Sequence, residues 1–168
     1  MLILFSTFSY PTKPMSEYNP EYLKRMSVAE LMAWHEPRFQ ILAESECDVL
    51  ALETIPGIRE IEALFNLLKK YPKEAYLSMA CCNHGEGKLN SGETWEAAFD
   101  FIAKNKPECL KGVGINCTKP IYVSDFGKLA RKMLPDLTLV TYPNSGEDWS
   151  TNSAEVWTDV DGQWCGQR

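Results

Sequence analysis

Two positions in this sequence ask for a chemical explanation before any other. Glu53 closes the apolar run Val49-Leu50-Ala51-Leu52, where a carboxylate is costly unless it meets a cation, a hydrogen-bond donor or a ligand amine. A salt bridge to a neighbouring loop would serve it equally well. Cys117 ends the run Gly112-Val113-Gly114-Ile115-Asn116 and precedes Thr118-Lys119-Pro120. A thiol at a strand terminus can turn toward an open face and be held as a thiolate by a metal, or it can pack as a small buried hydrophobe. Asn116 and Asn144 add amides at two strand ends, and Cys81-Cys82-Asn83-His84 adds thiols and an imidazole at a third. Adjacent strand residues point to opposite faces, so at most one of Cys81 and Cys82 can share a site with Cys117, and packing is the preferred reading of that pair. His35, beside Trp34 on a helical face, reads as a packing or capping histidine, and His84 as a solvated loop residue. No C-x-x-C or H-x-x-x-H spacing, no G-x-S-x-G elbow, and no G-x-G-x-x-G or Walker pattern occurs, which leaves serine hydrolysis and nucleotide binding without support.

Those residues need elements to carry them. Ser27 followed by Glu30 has the spacing of a capping box, and Leu31, Trp34, His35, Phe39 and Leu42 recur at near-helical intervals, predicting a helix over 27–45. The apolar run at 47–54 stops at Pro56-Gly57 and suits a strand buried on both faces. Ile58, Ile61, Leu64, Phe65 and Leu68 then draw a second helical stripe, ending near Tyr71-Pro72. The unit recurs, with strands at 75–81, 112–117 and 137–142 and helices at 92–105 and 123–134. Such alternation implies right-handed βαβ crossovers and a parallel sheet in sequential order, with the helices on one outer side. Working groups in these folds collect at the C-terminal strand ends, so Glu53 and Cys117 are expected on one face.

Composition bounds the partners. The 168 residues include 17 Lys+Arg and 23 Asp+Glu, a formal charge of −6, with 45% hydrophobic residues. That is a globular balance without a basic footprint for nucleic acid or anionic lipid. The apolar residues 1–10 lack a basic leader and are followed by Pro11 and Pro14, so they read as neither signal peptide nor membrane span. The six cysteines are therefore expected as thiols or metal ligands in the cytosol rather than as a disulfide framework. One domain is expected over 1–168, with 1–26 irregular, 27–150 forming β/α units and 151–168 a tail.

Four ordered segments carry a resemblance: Trp34-His35-Glu36-Pro37-Arg38; Asp48 to Pro56 with Glu60-Ile61-Glu62-Ala63-Leu64; Gly112 to Thr118; and Tyr142-Pro143-Asn144-Ser145-Gly146-Glu147. Together they resemble the homocysteine S-methyltransferase family, its S-methylmethionine-type members above all. The resemblance implies a (β/α)8 TIM-barrel type of α/β fold, present here as about four central units, with the first three strands and the eighth lacking. It further implies a zinc ion held by three cysteine thiolates, with the homocysteine sulfur as fourth ligand. The first zinc ligand corresponds to Cys117; the other two belong to a Gly-Gly-Cys-Cys motif that the sequence, ending Trp164-Cys165-Gly166-Gln167-Arg168, does not reach, and Cys165 corresponds to neither. Glu53 would contact the amino-acid part of homocysteine, with Asn116 and Asn144 as supporting polar groups. The function implied is transfer of a methyl group from S-methylmethionine or a related donor to homocysteine, giving methionine. No catalytic residue is implied beyond the metal site. The 168 residues alone are expected to be inactive, the alternative being a non-catalytic fragment that associates with itself or a full-length relative through unpaired sheet edges.

Overall fold

A computed structural model describes residues 2–6, 20–81, 87–144, 148–150 and 156–158. The main elements are β1 (Leu2–Ser6), α1 (Val28–Glu44), β2 (Val49–Ile55), α2 (Ile58–Lys70), β3 (Ala75–Ala80), α3 (Trp95–Asn105), β4 (Leu110–Asn116), α4 (Val123–Met133) and β5 (Thr138–Tyr142). A short antiparallel pair, β6 (Asp148–Ser150) with β7 (Val156–Thr158), follows. Strands β1 to β5 form one parallel sheet in sequential order. All four expected strands and their order are present.

The expectation that residues 1–26 are irregular needs correction. Leu2–Ser6 is a strand that pairs with β2 from Leu2 opposite Val49 to Ser6 opposite Glu53, and Glu21–Lys24 makes a turn of 3₁₀ helix. The sheet thus has five strands where four were expected. A short apolar run carries no periodicity that separates strand from other buried structure; what makes this one a strand is the free edge of β2, whose unpaired backbone groups accept it.

Local chemistry explains the helices. Ser27 caps α1, with its hydroxyl accepting from the Glu30 N–H and the Glu30 carboxylate accepting from the Ser27 N–H, so the capping box is complete. Leu31, His35 and Phe39 face inward at four-residue spacing, whereas Trp34 stays on the solvent side, 40% exposed. Thr94 caps α3 through the Ala97 N–H. The inward stripes of α1 to α4 meet Leu50, Leu52, Leu77, Met79, Val113 and Ile115 in one apolar core. There Phe126 lies edge-to-face with Phe99 and Trp95, at 5.0 and 5.3 Å between ring centres. Phe39, Phe65, Phe99 and Phe126 are buried to 1% exposure or less, each contributing about 1.5–3 kcal/mol of transfer free energy. The helices therefore cover one face of the sheet, as expected.

The pleat sends the alternate residues to the other face. In register these are Ala51, Tyr76, Gly112 and Thr138 in one row, Ser78, Gly114 and Val140 in the next, and Ala80, Asn116 and Tyr142 in the last. Small residues predominate in the first two rows. At Gly114 no side chain fits at all, since a Cβ would fall 1.6 Å from the Val140 carbonyl oxygen. The polar groups lie in the last row and just beyond it.

Candidate functional site

The pairing of β2 with β3 is interrupted between Leu52 and Ile55. Leu52 pairs with Leu77 and Ile55 with Met79, so three steps along β2 match two along β3. One extra residue is accommodated as a β-bulge, with Thr54 in the left-handed region at φ 63°. The bulge lets Leu52 and Ile55 both enter the helix-side core, which a regular strand would forbid. It also removes Thr54 from the ladder and leaves Glu53 half-buried at the strand end.

Asn116 repairs what the bulge breaks. Its Oδ1 accepts from the Thr54 N–H at 3.0 Å and from the Ser78 hydroxyl at 2.7 Å. Its Nδ2 donates to Thr54 Oγ1 at 2.8 Å and to Cys117 Sγ at 3.2 Å. The amide is 2% exposed, and these four partners use both its acceptor positions and both its N–H bonds. Cys117 follows in the left-handed region at φ 47°. Thr54 and Cys117 are the two described non-glycine residues with positive φ, and the one amide ties them together. Strain held in this way by neighbouring structure is characteristic of working sites.

Glu53 meets β5 from across the sheet. The Tyr142 hydroxyl donates to Glu53 Oε2 at 2.8 Å and lies 3.5 Å from the Tyr76 hydroxyl, while the Tyr76 and Tyr142 rings stand edge-on at 6.5 Å. Burial pushes the Tyr142 phenol well above the usual tyrosine range; the Ser78 hydroxyl opposes that shift, and Tyr76 and the Glu53 carboxylate add to it. The group is therefore a protonated donor at every physiological pH. β2 and β5 are three strand spacings apart, roughly 14 Å in a flat sheet. Side chains stand roughly perpendicular to such a sheet, so a direct bond from β5 to β2 requires the sheet to curl around this face, as the wall of a barrel does.

The structure thus brings Glu53, Asn116 and Cys117 to the same C-terminal end. Asn144 is partly buried nearby, its N–H donating to the Thr118 carbonyl at 2.9 Å. Cys81 packs in the helix-side core, consistent with a packing thiol. His35 is buried away from this face, with Nε2 2.8 Å from Glu60 Oε1, which fits the packing role expected of it. Cys82, Asn83, His84, Glu147 and Cys165 lie outside the described residues. None of Cys47, Cys81, Cys109 and Cys117 is in a disulfide. Among the described residues no three His, Cys, Asp or Glu side chains gather as a metal-ligand set, and a catalytic zinc takes three protein ligands. The described residues therefore do not by themselves complete a zinc site. Tyr76 and Ser78 are absent from the residues expected at the site, and Tyr142 enters there only as the start of the fourth matching segment, with no role of its own. Period-two alternation puts Tyr76 and Ser78 opposite the core residues Leu77 and Met79, the one signal that could have found them.

A parallel β/α sheet curled around a face that is polar at its strand ends defines part of a barrel of the TIM type, whose working face is the C-terminal one. Comparison with known proteins identifies which barrel. The homocysteine S-methyltransferase family profile matches residues 7–168. Relatives include homocysteine S-methyltransferase 1 of Arabidopsis thaliana, 35% identical over 147 residues that cover 84% of this chain and 42% of the relative. The betaine-homocysteine S-methyltransferase of Drosophila melanogaster is 35% identical over 157 residues, covering 84% and 47%. The metallated form of the homocysteine methyltransferase MmuM from Escherichia coli superposes with a TM-score of 0.70 at 31% identity, covering 84% of this chain and 48% of MmuM. The chain belongs to the homocysteine S-methyltransferase family. It spans less than half the length of these relatives.

Proposed function

We propose that the chain forms the homocysteine-binding part of a homocysteine S-methyltransferase that moves a methyl group from S-methylmethionine, or a related donor, to homocysteine. The donor's bond to its methyl carbon breaks, a new S–CH₃ bond forms on homocysteine, the thiol proton is released, and methionine results. The observation that carries this reading is the Asn116 amide, which links the bulge beside Glu53 to the Cys117 thiol. A carboxylate and a thiol held at a fixed separation suit a substrate with an amino group at one end and a sulfur at the other. Glu53 would take the ammonium group, and Asn116 and Asn144 would support the pocket.

Zinc enters through the family resemblance: held by three thiolates, of which Cys117 would be one, it keeps a substrate thiol deprotonated when the free group has a pKa of about 8.5. What the described residues themselves supply is binding and orientation, which lower the barrier by fixing sulfur and methyl group in line. No helix among the described residues is long and apolar enough to cross a membrane, and we place the protein in the cytosol with homocysteine and a methyl donor as its partners.

The test is Glu53→Gln in a protein that joins this chain to the remaining barrel strands of its relatives. Homocysteine affinity should fall by about 1.5–3 kcal/mol through loss of a charge-assisted contact. Unchanged affinity would count against the role of Glu53.

A further inference from the structure

Tyr142 has no assigned part in this chemistry, yet it is the one described side chain that hydrogen-bonds the Glu53 carboxylate. We propose that Tyr142 is a positioning residue for amine recognition: from the opposite side of the curled sheet its hydroxyl fixes Glu53 Oε2 and leaves Oε1 to receive a primary ammonium group. The inference rests on the reading of Glu53 given above.

The geometry carries it in three steps. A half-buried carboxylate beside a bulge has several rotamers, and only some present an oxygen to a ligand at the strand ends. A donor 2.8 Å from one oxygen selects among them. The donor is itself held, because Tyr142 ends β5 in the row of Asn116 and its ring stands edge-on to Tyr76. Gly114 has a share in this, since β4 and β5 approach so closely beside it that no Cβ fits. A phenol suits the position better than a cation. It satisfies one lone pair of the carboxylate without neutralising it, so the full negative charge remains for the substrate amine.

The experiment measures the binding of homocysteine, and of 4-mercaptobutanoate, which lacks the amine, to the 168-residue chain and its Tyr142→Phe and Glu53→Gln variants by NMR chemical-shift titration. Tyr142→Phe should weaken homocysteine roughly tenfold, the scale of one charge-assisted hydrogen bond, and leave 4-mercaptobutanoate unchanged. Equal weakening of both ligands would make Tyr142 merely structural and overturn the inference. Loss of homocysteine binding in Glu53→Gln with none in Tyr142→Phe would overturn it while leaving Glu53 in its role. No effect of Glu53→Gln would remove the underlying reading and the inference with it; where the unsubstituted chain, without zinc, binds homocysteine too weakly to titrate, the ligand-free measurement that follows decides. A second measurement needs no ligand: the ring resonances of Tyr142, assigned by their loss in Tyr142→Phe, should shift in Glu53→Gln at neutral pH, because the substitution changes the acceptor of the Tyr142 hydroxyl. Resonances that do not move would show that the two groups are uncoupled and overturn the inference.

Discussion

Asn116 gives the site its rigidity at the scale of single residues. Replacing it with Ala would strand the Thr54 N–H and the Ser78 hydroxyl, both buried, and each buried group left without a partner costs about 1–3 kcal/mol. The expected loss of unfolding free energy is about 3 kcal/mol, read from chemical denaturation. Ser78→Ala removes a single bond and should cost about 1 kcal/mol. In the double variant the two effects should fall short of additivity by at least about 0.5 kcal/mol, because they share one partner; strict additivity would show that the amide does not link them. Glu53 and Cys117 were legible in the sequence because each is a polar group closing an apolar run. The hub between them was not. It depends on the bulge at Thr54, and a bulge is a property of the register between two strands, which neither strand's sequence states alone. For the same reason the resemblance offers Asn116 as a supporting polar group without showing that protein partners occupy its amide fully.

The elements were more legible than their junctions. Ser27 and Glu30 announce the start of α1, and the capping box forms as the spacing implies. Ser27→Ala should cost about 1 kcal/mol of stability. The same motif sets a pH dependence. Bonds from the Ser27 backbone and then its hydroxyl hold the Glu30 carboxyl below its ordinary value. A carboxyl depressed in the folded state stabilises above its unfolded pKa, about 4.3, and that contribution fades as pH falls through the lower folded value. Ser27→Ala should therefore lose more stability at pH 7 than at pH 3, a difference that thermal melts at the two pH values would reveal. Equal losses would mean that the hydroxyl bond, as distinct from the backbone bond that alanine keeps, adds nothing through the Glu30 charge. The buried contact of His35 with Glu60, and of Glu60 with the Tyr22 hydroxyl at 2.6 Å, joins α1, α2 and the 3₁₀ turn. His35 could be read as a packing residue from its helical face. Its partner could not, because Glu60 lies 25 positions away and looks like an ordinary acidic residue of a first helical turn.

The sheet's sequential order and its curl are consequences of the whole chain, and they bear on what these 168 residues do by themselves. The alternation of strands and helices foretold parallel order, whereas the curl shows only in a bond such as that from Tyr142 to Glu53, which no periodicity encodes. Among the described residues β1 and β5 are the outer strands, and β5 leaves Thr138 and Thr141 exposed. In a closed barrel both edges would be paired. The described residues bring one thiol, Cys117, to the C-terminal face, and a single thiolate cannot supply the three protein ligands of a catalytic zinc. We therefore expect the 168-residue chain by itself to hold zinc weakly and to transfer no methyl group to homocysteine, and to gain both properties when joined to the remaining strands of its relatives. Metal analysis of the purified chain after dialysis, beside a methyl-transfer assay with S-methylmethionine and with betaine as donors, checks this directly. Stoichiometric zinc together with turnover matching the joined protein would mean that residues outside those described complete the metal site within this chain.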